Sequence, residues 1–298
     1  MMKRIFNLNT KEIPSPGNFI FTANKFLKGF KYNNVEIGEI NTLDNIEQYN
    51  DENTYFFLSN HFCSIDKSIS YEIGKKLDKC VFICFHFNFE KDLRHNMPFK
   101  KYIITGEHYQ ITPKSSDAHI DADYFTKTCE NWLPLTFSSG LDPDKVGKLE
   151  RKDVYESIFV GAPYKIDWLN RLSNGFFHIS YNDFISEEDR VNAFLSSRVC
   201  LGFHSDGNIS NGCIIERVFE GLSYGCAVVS DNKVAETFTN GVVKYVSTYE
   251  EVIDFINQCK DDDFFYERQR LGYEFSKSRG LYYHVAQNFL SKINELYG

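Results

Sequence analysis

The chain has 298 residues, 42% hydrophobic and 25% charged, a soluble globular composition too long for one ordinary core and suited to two domains of roughly 150 residues with a cleft between them. Its net charge of -8 excludes a generally basic nucleic-acid coat, and no apolar run approaches the ~20 residues needed to cross a bilayer. With no secretory leader at Met1–Asn7, the cytosol of a bacterium or a virus-infected host cell is the expected compartment.

The first half alternates apolar runs with helix-like segments. Residues 3–8 read as a strand, 18–30 as a helix and 35–40 as a strand, a βαβ rhythm. It continues with TYFFLSN at 54–60, a helix over 66–77, the run CVFICFHF at 80–87, and KYIIT at 101–105. Continuous apolar runs of this kind suit parallel strands covered on both faces. Residues 142–153, DPDKVGKLERKD, are charged and nearly free of large apolar side chains. They read as a linker, which places the domain boundary near residue 150.

The rhythm restarts with strands at 157–160, 175–179 and 198–203 and helices at 166–173 and 187–195. After the loop 204–212 come a helix through Tyr224, strands at 226–230 and 242–246, and helices at 250–258 and 281–296. Two tandem Rossmann-like, doubly wound α/β domains, 1–150 and 151–298, are the simplest architecture. Ligands of such sheets sit at the carboxyl ends of strands near the switch point. That rule nominates Pro14–Asn18, His61, His86 and the Gly106-Glu107-His108 turn in the first half. In the second half it nominates 161–163, 180–181, 204–212 and Ser230-Asp231.

The stretch ERVFEGLSYGCAVVSD, 216–231, carries the strongest signal. Ser210-Asn211-Gly212 can cap a helix with apolar residues at helical spacing, and Gly225 sits where its C-terminal cap belongs. Glu216 and Glu220 then share a face, an arrangement that favours a cation between them, for which Arg217 is the local candidate. The polar loop HSDGNISNG before the helix offers backbone N–H groups and a positive dipole end to a pyrophosphate. Glu220 can accept both hydroxyls of a ribose.

Here the sequence resembles the donor-binding domain of GT-B glycosyltransferases. It is most similar to the group-1-type transferases that include spore-coat maturation proteins. The residues that carry the likeness are Arg217 and Glu220 as an Arg-x-x-Glu core, the turn at Gly225, the strand ending near Asp231, and SIFVGAP at 157–163 as the first strand and glycine turn. The resemblance implies two domains facing a central cleft, a terminal helix (about 281–297) that packs back at the junction, an acceptor-side first domain and a nucleotide-sugar-binding second domain. It further implies that Glu220 binds the ribose and that the helix start at 210–213 faces the diphosphate. Many relatives carry a second Glu eight residues before this one. Here that position is Gly212, which leaves the contact to the sugar itself unassigned.

The expected chemistry is metal-independent transfer of a sugar from a nucleotide-sugar, UDP-linked, to a hydroxyl of a glycan, a protein or a modified nucleobase. The donor is a co-substrate and no cofactor is called for. DNA as acceptor is disfavoured by the charge. Alternatives are a nucleotide-sugar epimerase of the same fold and a non-catalytic nucleotide-sugar-binding protein. For the diphosphate the candidates are Gly161, Lys165, Arg171, Ser210, Asn211, Gly212 and, best, Arg217. For the base they are His86, after it His61, and Glu107, which can equally bind the acceptor. Asp121-Ala122-Asp123 follows no convincing strand and is read as coincidence, Asp261-Asp262-Asp263 as a solvated turn, and no His/Cys/carboxylate grouping has metal-ligand spacing. The eight cysteines contain no CxxC and are expected to be buried, reduced thiols.

Overall fold

The computed structural model describes residues 2–13, 20–58, 67–85, 98–105, 130–133, 135, 137–162, 164–179, 185–210 and 212–298. His86, Glu107, Asn211, His61, Pro14–Asn18 and the 121–123 stretch lie outside them, as do Cys63 and Cys129.

The chain divides into two compact units. In the first, β1 (Arg4–Leu8), α1 (Ile20–Tyr32), β2 (Glu36–Ile40), β3 (Thr54–Leu58), α2 (Lys67–Lys76), β4 (Val81–Phe85) and β5 (Lys101–Thr105) follow in chain order. The strands form one sheet in the order β2-β1-β3-β4-β5, every pairing parallel. Why the runs are apolar throughout is visible at β3, buried along its whole length. Tyr55 and Phe57 face a core shared with α1, while Phe56 and Leu58 face another shared with α2. Both faces of the sheet are covered, as alternation within a continuous apolar run requires.

In the second unit come β6 (Tyr155–Gly161), α3 (Ile166–Leu169), β7 (Gly175–Ile179), α4 (Glu187–Leu195), β8 (Ser197–Gly202), α5 (Asp206–Ser210) and α6 (Glu216–Ser223). They are followed by β9 (Ala227–Ser230), α7 (Lys233–Phe238), β10 (Lys244–Tyr245), α8 (Tyr249–Gln258) and α9 (Asp262–Arg279). The sheet order is β10-β9-β8-β6-β7, again all parallel. Phe159, Leu201 and Val229 pack under α8 through Val252, Phe255 and Ile256. Gly221 of α6 lies directly on Cys200 and Val228 of the other face. A last helix, α10 (Tyr282–Tyr297), belongs to the first unit, where Val285, Ala286, Phe289 and Ile293 complete the core around Phe26 and Phe30 of α1.

Three expectations need correction. The division falls between residues 136 and 137, not near 150. The charged stretch 142–153 belongs to the second unit because Arg151 is spent on its backbone. Its guanidinium donates to the Tyr224 carbonyl at 2.6 Å and to that of Ser197, and pairs with Asp153 at 2.9 Å. Second, Asp261-Asp262-Asp263 is solvated as expected, but it is the start of a helix and not a turn. Asp261 caps α9 by accepting from the Phe264 amide at 2.9 Å, and the next two acids sit in the first turn, where a helix favours negative charge. Third, the helix expected to start at Ser210-Asn211-Gly212 begins later, and the expected loop before it holds a short helix of its own. The one-turn α5 ends at Ser210, and α6 starts only at Glu216.

Candidate donor site

In the second sheet, β6 is followed on one side by β7 and on the other by β8, so the chain reverses direction of growth between β6 and β8. The loops leaving these two strands therefore diverge, and the gap outside their carboxyl ends is where a ligand fits. β6 ends at Gly161 and β8 at Gly202, with Phe203 next in the chain.

Arg217, the second residue of α6, puts its guanidinium in that gap. Nη1 donates to the Phe203 carbonyl at 3.2 Å, and the guanidinium carbon stands 4.1 Å above the Phe159 ring. Nη2 lies against Gly161, where a Cβ would come within 2.0 Å of it. Gly161 has φ +144°, a conformation that side chains other than glycine's rarely adopt, so the close approach and the backbone both demand glycine here. Nε is fully enclosed and has no partner among the described residues, although Arg217 as a whole keeps partial exposure. Burial lowers its pKa to about 10, still protonated at neutral pH. A cation held by two strand ends with unspent N–H capacity is suited to an anion.

The helix that carries it contributes a second positive element. The cap position of α6 is Ile215, which provides no side-chain hydrogen bond to the first turn. The helix closes at Tyr224, and Gly225 follows with φ +82°, as its C-terminal cap position requires.

Glu220 is buried, and its cation is Arg190 of α4 rather than Arg217. Arg190 Nη1 lies 2.7 Å from Oε1 and 3.0 Å from Oε2. The expected local pairing fails because Arg217 turns toward the strand ends, and the carboxylate is met from another helix.

The remaining nominations are dispersed. Ser210 is exposed, and its hydroxyl donates to the Gly207 carbonyl at 3.0 Å, so it caps nothing in α6. Gly212 is buried with φ +67°. Lys165 precedes α3 in a left-handed conformation, with Nζ 5.2 Å from the Trp168 ring centroid. Arg171 stacks 3.6 Å from the Tyr249 ring and faces Glu250 at 3.7 Å. The structure thus joins Gly161 with Arg217 and Glu220 with Arg190. His86 and Glu107 follow the last residues of β4 and β5 in the chain, outside the described residues.

Residues 146–291 match a family model described as glycosyl transferase-like. The likeness to a glycosyl transferase-like family thus covers just under half of the chain, and the fold is the two-unit α/β arrangement of GT-B glycosyltransferases. Among solved structures, an alpha-glucosyltransferase in complex with UDP-glucose and DNA containing an abasic site is similar at TM-score 0.62 and 11% identity, over 99% of this chain and 100% of that one. An alpha-glucosyltransferase with UDP and a 13-mer DNA containing a HMU base gives 0.63 and 10%, over 99% and 100%. An alpha-glucosyltransferase with UDP gives 0.63 and 10%, over 98% and 99%. No curated protein matches the chain in sequence. No described helix is long and apolar enough to cross a membrane.

Proposed function

We propose that the protein moves a sugar from a UDP-linked donor, held by the second unit, to a hydroxyl of an acceptor assigned to the first, without a metal ion. The observation that carries this reading is the Arg217 guanidinium at the switch point, braced by Phe203 and laid against Gly161. As the glycosidic bond breaks, negative charge grows on the departing diphosphate. A fixed cation and the amino end of α6 meet that charge without reorganising, which is how such sites lower a barrier. Glu220, aimed by Arg190, accepts the ribose hydroxyls. Gly161 lets the diphosphate approach the backbone closely. His86 and Glu107 remain the proposed groups for the acceptor proton.

For the acceptor, full-length likeness to glucosyltransferases bound to DNA makes a hydroxymethylated base in duplex DNA the first substrate to assay. The charge of -8 works against a polyanion, so glycan acceptors belong in the same experiment. We infer the cytosol of a bacterium or a virus-infected cell as the setting, in keeping with a composition rich in Lys, Asn, Ile and Phe.

The test has two stages. UDP, GDP, ADP, CDP and TDP are compared by thermal shift with EDTA present, on wild type and Arg217→Met; a ligand at a hundred times its Kd adds about 2.7 kcal/mol. Stabilisation of wild type by UDP, lost in the variant, is expected; no shift with any nucleotide, with or without magnesium, refutes the reading. Labelled UDP-glucose is then offered with hydroxymethylated duplex or glycan. Label on the acceptor identifies a transferase, a free altered sugar an epimerase, and binding without turnover a binding protein.

A further inference from the structure

At the foot of α6 lies a buried polar network to which the donor reading assigns no role. The His204 ring, wholly enclosed, follows β8 and faces Asp231 just after β9, with Nδ1 3.0 Å from Oδ1. The same oxygen accepts from the His204 main-chain amide at 2.9 Å. On the other side of the ring, Nε2 accepts from the amide of Ile215 at 3.3 Å. A backbone amide can only donate, so Nε2 is unprotonated and the ring proton sits on Nδ1, facing the carboxylate. The strand ends are fastened once more by Asn232, whose side-chain amide donates to the Cys213 carbonyl at 2.8 Å. Ile215 is the cap residue of α6, two positions before Arg217.

Resting on the donor reading above, we propose that His204 is a positioning residue for Arg217, and that its protonation releases the start of α6 and weakens the grip on the donor diphosphate. A proton on Nε2 would set one N–H group against that of Ile215, turning an attraction into a repulsion at the foot of the helix that carries the guanidinium. The charged groups facing the ring, among the described residues, are Asp231 after β9 and Arg217 from α6. Burial holds the imidazole below its ordinary pKa, against the opposing pull of Asp231. With the pKa depressed, the neutral, gripping form persists through neutrality, and the loss falls on the acid side of about pH 6.5.

The experiment measures UDP-glucose affinity by calorimetry from pH 7.5 down to pH 5. UDP-glucose is the probe because the terminal phosphate of UDP itself titrates near pH 6, whereas the doubly esterified diphosphate has no such step. Wild type is expected to hold its affinity near neutrality and to lose it toward the acid end, by up to about tenfold per pH unit once the imidazole protonates. His204→Gln places an amide oxygen where Nε2 stood, restoring the acceptor without a titrating group. It should bind within about threefold of wild type at pH 7.5 and stay flat with pH. His204→Asn is too short to reach Ile215 and should bind about tenfold more weakly at every pH. A His204→Gln profile that falls like wild type's, or a folded His204→Asn that binds as tightly as wild type, overturns the inference and leaves the donor site standing. If His204→Asn fails to fold, the His204→Gln profile still decides. Wild type that binds no UDP-glucose at any pH overturns the donor reading and the inference with it.

Discussion

Replacing Arg190 by Met removes the guanidinium that faces Glu220 while filling much of its volume. The pair is enclosed, with side-chain exposures of 17% and 6%, and its shorter contact is 2.7 Å. Two unit charges about 4 Å apart attract by about 4 kcal/mol at an effective dielectric near 20, and deleting one member of a buried pair costs about 3–5 kcal/mol. We expect Arg190→Met to destabilise the second unit by about 3 kcal/mol. The double variant Arg190→Met, Glu220→Leu, which removes the stranded charge, should return to within about 1 kcal/mol of wild type, because apolar replacement of a whole buried pair is commonly neutral. The assay is urea denaturation followed by tryptophan fluorescence in a Trp132→Phe background. Trp132 belongs to the first unit, so the remaining Trp168 reports on the second alone. A single variant that loses less than about 1 kcal/mol, or a double variant as unstable as the single, would show that Arg190 does not hold Glu220 in place.

Gly161→Ala should place a methyl group 2.0 Å from Arg217 Nη2 on a backbone at φ +144°, costing about 1–3 kcal/mol of stability and at least about tenfold in UDP affinity. Melting and calorimetry read the two effects separately, and unchanged affinity would mean that the guanidinium need not sit where it does. Native protein treated with iodoacetamide at pH 8 should remain unlabelled at Cys80, Cys84, Cys200, Cys213, Cys226 and Cys259, all buried, the thiols of Cys80 and Cys259 being pushed up to about 12 by burial. Peptide mapping checks it, and rapid labelling of any of the six would contradict the packing described.

The central strands were legible because β3, β4 and β8 sit in apolar runs with turns on either side, and β5, β7 and α4 begin and end where the sequence pattern puts them. Helix α9 was not, since FFYERQRLGYEFSKSR has no narrow apolar stripe: its buried positions include Gly272 and Ser276, which make contact by smallness. Arg151 made its segment resemble a linker because a charge that bonds to backbone carbonyls looks in sequence like any solvated charge. At the site, Gly161, Arg217 and Glu220 stood out by their place relative to strand ends and helix turns. Arg190 did not, for it lies 30 residues from its partner in an unremarkable charged helix, and no local spacing links the two. His204 and Asp231 were picked out as strand ends, but the shared carboxylate oxygen that joins them exists only once β8 and β9 are paired.

Helix α10 gives the chain an unusual timetable. During synthesis an amino-terminal domain ordinarily folds while the rest is still being made. Here Phe26 and Phe30 of α1 wait for Phe289, whose ring meets theirs at 5.1 Å and 6.5 Å. Everything from Phe137 to Leu281, the whole of the second unit apart from the short 109–113 segment, has left the ribosome before that partner arrives. The half that is translated first is therefore the half that matures last, and a chain released before residue 282 would present a complete second unit tethered to an open, aromatic-rich sheet in need of a chaperone.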